Sequence, residues 1–319
     1  MKATKLRQIL VPIDFSPQSL ETLRFTKLLA TRFRAKLHLV HVVTPPQSFP
    51  LRRAMLPFAF SKKEATASAL KALKNVRAEF SLSPRSNRCT VRIGAPAEEI
   101  SQAARELGAD LITIATRGYT GLKHAFLGST TARVVRSAHS PVLVVREKEH
   151  QSASQRARRG RTPLQFKKIL VPLDFSECSR VGLDYALGFA REFRANLVLF
   201  HSVIVHSYAL SDEYTVLEVP NVIALEKEYA EEQMEKLRRE LSKKSVEVET
   251  STAVGSPVER IGEYVGANDV DLIITSTHGR SGLQRVLIGS TAEQIVRYAT
   301  CPVLVVPNRS SLSKTGKLK

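Results

Sequence analysis

Short apolar runs alternate with amphipathic stretches along the whole chain. In the first half, residues 5–12 are apolar and rich in β-branched side chains, and residues 16–34 then carry leucines at helical spacing. The pattern further predicts strands over 35–43, 88–93, 110–115 and 141–145, and helices over 62–80, 96–107 and 129–138. Strands that alternate with helices indicate a parallel sheet covered on both faces, with a ligand crevice at the carboxyl ends of the strands.

The second half repeats the first about 160 residues later. Residues 9–16 (ILVPIDFS) return as 169–176 (ILVPLDFS), and residues 118–130 (GYTGLKHAFLGST) return as 279–291 (GRSGLQRVLIGST). The copies differ most over 44–61 and 203–220, which we interpret as long loops after the second strand. We therefore predict an α/β protein with two tandem, doubly wound, parallel five-stranded sheets.

Composition places the domain boundaries between the two copies and after the second. Residues 148–163 contain almost no apolar side chain large enough to bury, which is typical of an exposed linker. We predict a first domain over 1–147, a basic linker over 148–163, a second domain over 164–307 and a basic tail over 308–319. Each domain is large enough to form its own hydrophobic core.

An aspartate follows the first strand of each domain. Asp14 and Asp174 are placed at the edge of the sheet, where a carboxylate can accept hydrogen bonds from the hydroxyl or amino groups of a ligand. The alternative is that each aspartate only caps the following helix, since Asp is favoured at helix N-termini.

A glycine-rich segment follows the fourth strand and ends in Gly-Ser-Thr, where the next helix begins. The first amides of a helix are unpaired and lie at the positive end of its dipole, and glycine lets a phosphate approach the backbone. The segment therefore predicts a phosphate site, with an ordinary helix cap as the alternative. The two copies are not independent evidence, because duplication preserves spacing.

Several classes of chemistry are not indicated. The Gly-x4-Gly-Lys-Ser/Thr phosphate loop is absent, and no carboxylate pair is spaced for a catalytic metal. His41 and His201 end matching strands and are interpreted as structural. The three cysteines indicate a reducing compartment without a disulfide framework or zinc site. With no signal peptide and no apolar run of about 20 residues, we expect a cytoplasmic protein.

These motifs resemble those of the universal stress protein family, and residues 5–146 and 166–307 together are similar to its tandem form. The resemblance implies a Rossmann-like fold of the adenine nucleotide alpha hydrolase type. It further implies ATP as the ligand, with Mg²⁺ or Mn²⁺ held mainly by the phosphates, and no metal ligands from protein side chains. The family motif is Gly-x2-Gly-x9-Gly-Ser/Thr, and this chain departs from it at the first glycine, which is Ala115 or Ser276.

Site residues are carried over from the resemblance domain by domain. In the first domain they are Pro12, Asp14, Val42, Ala115, Arg117, Gly118, Gly128, Ser129 and Thr130. In the second domain they are Pro172, Asp174, Ser202, Ser276, His278, Gly279, Gly289, Ser290 and Thr291. The aspartate with Val42 or Ser202 is expected at the adenosine, and the glycine segment at the ribose and phosphates.

Charge is distributed unevenly between the two halves. Residues 1–150 carry a net charge of +15, whereas residues 164–307 carry −5. An anionic partner of the first domain, such as nucleic acid or a membrane surface, is one interpretation, and a solvated basic surface is the other. The family resemblance also implies an internal pseudo-dimer through the last strand of each domain, with homodimerisation as a further possibility.

The leading hypothesis is a tandem stress-response protein that binds ATP in one or both domains and acts as a regulatory or protective switch rather than as an enzyme. Two alternatives remain open at this point. One is a scaffold of the same fold that does not bind nucleotide, and the other is a slow ATP hydrolase.

Overall fold

The computed structural model of the 319-residue chain describes residues 6–45, 61–116, 127–146, 164–204, 219–277 and 289–308. The chain divides into two compact units, residues 1–164 and residues 165–319. Each unit is a parallel sheet with helices packed on it, which confirms the predicted α/β class with two doubly wound sheets.

The first unit has its strands in the order β3-β2-β1-β4-β5, all parallel. From β1 the chain adds β2 and β3 on one side of the sheet and then β4 and β5 on the other side. The boundary between β1 and β4 is therefore a topological switch point, where ligands bind in sheets of this kind. Its elements are β1 (Gln8–Pro12), α1 (Pro17–Phe33), β2 (Lys36–Val43), α2 (Lys62–Glu79), β3 (Arg88–Ile93), α3 (Pro96–Leu107), β4 (Leu111–Ala115), α4 (Ser129–Ser137) and β5 (Val142–Val145).

The second unit repeats this topology in the order β8-β7-β6-β9-β10. Its elements are β6 (Lys168–Pro172), α5 (Glu177–Phe193), β7 (Asn196–Val203), α6 (Val219–Ser242), β8 (Val248–Val254), α7 (Pro257–Ala267), β9 (Leu272–Ser276), α8 (Ser290–Tyr298) and β10 (Val303–Val306). The predicted elements of the first half agree with the observed ones to within three residues at each end. Most of the predicted loops, and the linker, lie outside the described residues.

Helices cover both faces of each sheet. In the first unit, the Cys89 thiol contacts the Leu73 carbonyl oxygen of α2 at 3.7 Å. Three residues later on β3, the Arg92 guanidinium contacts the carboxylates of Glu99 and Glu106 on α3. Residues three apart on a strand point to opposite faces, so α2 and α3 lie on opposite sides. This double covering explains why every residue of β4 is buried and apolar or hydroxyl-bearing.

A second pair of aspartates ties the amino ends of the strands together. Asp110 Oδ2 accepts the amide hydrogens of Arg7 at 2.7 Å and Gln8 at 2.9 Å. Asp271 Oδ2 makes the same two bonds in the second unit, with Lys167 and Lys168. These carboxylates therefore have a structural role, at the end of the sheet opposite to the predicted site.

Candidate functional site

A cavity of about 660 Å³ lies in the second unit, at the carboxyl ends of β6, β7 and β9. The first turn of α8 forms another wall, and α6 and α7 contribute side chains to the rest. Residues predicted from the sequence meet here: Pro172, Asp174, Ser202, Ser276, Gly289, Ser290 and Thr291. The other two predicted for this domain, His278 and Gly279, lie outside the described residues.

The carboxylate of Asp174 is held in place by the residue that caps α5. Asp174 Oδ1 accepts hydrogen bonds from the Ser176 amide at 3.1 Å and from the Ser176 hydroxyl at 2.6 Å. Ser176 Oγ in turn accepts the Ser179 amide hydrogen at 3.2 Å, so Ser176 is the N-cap. Ser176 therefore both caps α5 and holds the carboxylate of Asp174, a residue that lines the cavity. In the first unit, Asp14, Ser16 and Ser19 make the same contacts.

The turn between strand and helix contains a bulky residue in a left-handed conformation. Phe175 has a φ of 60°, which is unusual for an aromatic residue and indicates that the surroundings hold it there. Its ring lies 4.5 Å from the ring of His201, and His201 Nδ1 lies 2.7 Å from the Leu173 carbonyl oxygen. Because a carbonyl oxygen only accepts, Nδ1 carries the proton. The first unit repeats the arrangement with Phe15, His41 and Ile13.

The N-terminus of α8 faces the cavity without a side-chain cap. Gly289 is the N-cap residue, and it has no side chain that could cap the amides of the first turn. Its own amide donates to the Thr277 carbonyl oxygen at 2.7 Å, which ties the helix to the end of β9. The first-turn amides, together with the hydroxyls of Ser290 and Thr291, are suited to binding an anion.

Glycine at this cap is not required by the backbone. Gly289 has φ −57° and ψ 141°, and Gly128 in the first unit has φ −59° and ψ 142°. These angles are open to any residue. The absence of a side chain at the cap therefore matters for what approaches the backbone rather than for the fold.

Ser202 lies at the end of β7, on the wall next to Asp174. Its hydroxyl donates to the Gly255 carbonyl oxygen at 2.8 Å, which links β7 to the turn before α7. The donor is thus used within the protein, and the oxygen can still accept a hydrogen bond from a ligand. Val42 occupies the equivalent place in the first unit and offers only apolar contact and its backbone.

The first unit has the same arrangement of candidate site residues on its own strands and helices. The described members, at the ends of β1, β2 and β4 and at the start of α4, are Pro12, Asp14, Val42, Ala115, Gly128, Ser129 and Thr130. Thr131 Oγ1 donates to the Ala115 carbonyl oxygen at 2.8 Å and ties α4 to β4. Arg117 and Gly118 lie outside the described residues.

Sequence reasoning missed the wall formed by α6. Glu226 and Tyr229 on this helix line the cavity, and Tyr229 is 54% exposed. At an offset of 161 residues, the first unit carries Ala65 and Ser68 at these places on α2. The offset is supported by burial, since Leu73 on α2 and Met234 on α6 are both buried. In the sequence, the only indication of this wall was the correspondence between α2 and α6 at an offset of 161 residues. The divergent loops before the two helices obscure that correspondence.

The described lining is acidic. It contains the carboxylates of Asp174 and Glu226 and no lysine or arginine. Among the described lining residues, a ligand with several negative charges would therefore meet cationic character at the α8 N-terminus, and a bound divalent cation would offset the rest. Among the described residues, no group of three or more His, Cys, Asp or Glu side chains is arranged to hold a metal by itself.

Two further observations concern membrane-spanning helices and cysteines in the described residues. In the part of the chain that the structure describes, none of the helices is long and apolar enough to cross a membrane. Cys89, Cys178 and Cys301 form no disulfide bond among the described residues, and burial raises the pKa of the Cys89 thiol.

Known proteins are similar to this chain over about the length of one unit or over nearly the whole chain. A universal stress protein of Methanocaldococcus jannaschii is 33% identical over 141 residues, which are 44% of this chain and 82% of that protein. One from Mycolicibacterium smegmatis is 25% identical over 309 residues, 94% of this chain and 97% of that protein.

Solved structures agree on the fold. A universal stress protein from Archaeoglobus fulgidus has a TM-score of 0.65 at 16% identity, with 96% of this chain and 99% of that chain covered. A functionally unknown protein of Pseudomonas aeruginosa has a TM-score of 0.65 at 18% identity, with 98% and 96% covered. Residues 5–146 and residues 165–307 each match the universal stress protein family. The chain therefore belongs to the universal stress protein family, in its tandem two-domain form.

Proposed function

We propose that this protein binds ATP, with Mg²⁺ or Mn²⁺ held mainly by the phosphates, in the cavity of the second unit and at the matching residues of the first. Binding acts as a regulatory or protective switch in a stress response rather than as the start of a catalytic cycle. The observation that carries the proposal is the meeting of Asp174 and the uncapped α8 N-terminus on one cavity.

The cavity fits a nucleotide in size and chemistry. Its volume of about 660 Å³ is in the range of small-ligand sites, roughly 300–1,000 Å³. The α8 terminus provides amides and hydroxyls for phosphates, and the Asp174 carboxylate accepts from ribose hydroxyls. Apolar side chains, among them Phe200 and Ile261, line the remainder and suit a base.

Nucleotide binding can alter the exposed surface next to the cavity. Ile204, Val222, Leu225 and Tyr229 are large apolar residues that are 46% or more exposed, and Ile204 and Tyr229 also line the cavity. A ligand that contacts these two side chains changes what the surface presents to a partner. This is the physical basis of the switch.

The proposal is tested by calorimetric titration of the nucleotide-stripped protein with ATP, with and without Mg²⁺. We expect saturable binding that weakens when Mg²⁺ is removed, because the described lining is acidic. Asp174→Ala and Gly289→Val should each weaken binding at the second site by at least about tenfold, since each removes or blocks charge-assisted hydrogen bonds.

Asp184→Ala is the matched control, because Asp184 is an exposed aspartate of α5 that does not line the cavity. It should leave ATP affinity unchanged. If the wild-type protein shows no saturable binding, the scaffold alternative replaces the nucleotide switch. If Asp174→Ala and Gly289→Val bind like the wild type with the same stoichiometry, the site assignment is wrong.

A further inference from the structure

A cluster of six cations lies at the open edge of the first unit's sheet. We call it the β3 edge and define it as Lys36, Lys71, Lys74, Arg77, Arg85 and Arg88. Five of these residues are exposed and Arg77 is half-buried. The strand β3 pairs only with β2 within the unit, so the cluster follows the outermost strand.

The six cations come from β2, α2, β3 and the turn before β3, which the fold brings together. His38 on β2 pairs in register with Arg88 on β3, and Lys36 lies two residues before His38 on the same face. Burial lowers the pKa of His38, and the positive charges of Arg88 and Lys36 lower it further. On the other face, Lys74 and Arg77 act on the Cys89 thiol and oppose the rise in its pKa that burial causes.

The β3 edge has no ion pair with a carboxylate in the part of the chain that the structure describes. Among the described residues, none of the six cations lies within 4 Å of an acidic side chain. Arg77 instead donates to the Asn87 carbonyl oxygen at 3.5 Å. By contrast, Arg92 on the same strand is paired with Glu99 and Glu106. The unpaired charge is therefore specific to this end of the strand.

The second unit shows that the fold does not require four of these six charges. Buried residues of α2 and α6 correspond at an offset of 161, as Leu73 and Met234 do, and the β3 and β8 registers share that offset. At this offset, three of the cations correspond to glutamates: Lys71 to Glu232, Lys74 to Glu235 and Arg88 to Glu249. Lys36 corresponds to Asn196, because each occupies the same place in the pairing of the first two strands of its unit.

Two of the three acidic counterparts, Glu235 and Glu249, contact polar neighbours. Glu235 accepts from Arg238 and Arg239, which lower its pKa to about 2. Glu249 accepts a hydrogen bond from Asn196 Nδ2. The same backbone thus carries acidic and neutral residues at the edge of one unit and a basic cluster at the edge of the other.

We propose that the β3 edge binds the phosphate backbone of nucleic acid without sequence preference. Clustered Lys and Arg at an exposed surface release counterions from phosphates, and this term needs no recognition of bases. A membrane is disfavoured as the partner, because the large apolar residues exposed in the described part of the chain all belong to the second unit. The described part of the first unit therefore offers cations without exposed large apolar side chains to insert into a bilayer.

The test uses the full chain and fluorescence anisotropy with a labelled DNA duplex of arbitrary sequence, about 20 base pairs long and titrated at several salt concentrations. The test variant combines Lys71→Glu, Lys74→Glu and Arg88→Glu, which are the residues of the second unit at these places. We expect it to weaken binding at least about tenfold at 0.1 M salt and to reduce the slope of log affinity against log salt by about 2 to 3.

The control variant combines Lys167→Glu, Lys236→Glu and Lys243→Glu, three exposed lysines of the second unit with the same total change in charge. It should bind DNA within about threefold of the wild type. Circular dichroism of both variants reports folding, and ATP titration reports the nucleotide site. The two measurements are separate because none of the residues changed in either variant lines the cavity.

Three results would overturn the proposal. The first is equal weakening in both triple variants, which would indicate net charge alone. The second is no DNA binding by the wild type at 0.1 M salt. The third is binding to phosphatidylserine vesicles that the test variant abolishes, with DNA binding unchanged.

Discussion

At the residue scale, the site depends on a strained turn that the protein holds by non-covalent contacts. Phe175 and Phe15 are in the left-handed region, and each packs against a histidine. That histidine donates to the carbonyl oxygen of the residue two positions before the phenylalanine. The histidines expected to be structural therefore have a definite task, since they brace the turn that directs the aspartate. The strain is located where a binding site needs a side chain in one orientation.

A second histidine leads to a prediction about pH. Burial and the charges of Arg88 and Lys36 lower the pKa of His38 from its ordinary value of 6.5, and its Nε2 has no hydrogen-bond partner among the described residues. As pH falls below 6.5, the unfolded chain takes up a proton at His38 that the folded protein does not. The free energy of unfolding should therefore fall on the acid side, and His38→Val should make that fall shallower.

Urea denaturation between about pH 7 and about pH 5 measures this effect. Valine is a suitable replacement, because Val198 occupies the equivalent place in the second unit. His38→Val and wild type losing stability in parallel over this range would contradict the prediction. His139, whose pKa is also lowered by burial, remains in both proteins and does not affect the comparison.

At the element scale, one hydroxyl links a helix cap to a binding residue. Ser176 caps α5 and also donates to Asp174, so the start of the helix and the orientation of the carboxylate depend on the same side chain. The alternative in which the aspartate itself caps the helix does not hold in either unit, because Ser16 is the N-cap of α1. A cap of this kind contributes about 1 kcal/mol to stability.

Ser176→Ala should lower the free energy of unfolding by about 1 kcal/mol through loss of the cap. It should also weaken ATP binding at the second site several-fold, because Asp174 loses a hydrogen bond that orients it. Ser176→Thr keeps a hydroxyl and should restore both properties. Denaturation and calorimetric titration of the two variants measure the effects. Loss of stability with unchanged ATP affinity would show that Ser176 only caps the helix.

At the scale of the whole molecule, the chain carries the same constellation twice with different surroundings. Both units have the aspartate, the serine cap, the braced phenylalanine and the uncapped Gly-Ser-Thr terminus. They differ in the helix that follows the second strand, where Glu226 and Tyr229 replace Ala65 and Ser68. Their β3 and β8 edges also carry opposite charges. Duplication has kept the proposed binding chemistry while the outer surfaces have diverged.

Native mass spectrometry should therefore detect two ATP molecules per chain at saturating ATP and Mg²⁺. Asp14→Ala and Asp174→Ala should each leave one, and the double variant should leave none, because each aspartate serves only its own unit. A wild-type chain that takes up a single nucleotide, lost only in Asp174→Ala, would limit the function to the second unit. Two nucleotides retained by the double variant would contradict the role given to the aspartates.

The sequence by itself determined the duplication, the α/β class, the placement of most elements and the two aspartates with their Gly-Ser-Thr segments. Those features are local, since hydrophobic periodicity and turn residues act over a few neighbours along the chain. The identification of Ser176 as the cap, the brace between Phe175 and His201, and the α6 wall of the cavity were decided only by the tertiary structure. Each depends on residues that are distant in sequence or on dihedral angles that the residue types do not specify.

The β3 edge illustrates the same division. The sequence showed that the first domain is basic, but not that Lys36, Lys74 and Arg88 share one edge while their counterparts in the second unit are neutral or acidic. Parallel strands are joined by crossovers through helices, so neighbours in the sheet are tens of residues apart in the chain. Because electrostatic interactions depend on distance in space, the pattern of charge became a surface only when the chain folded.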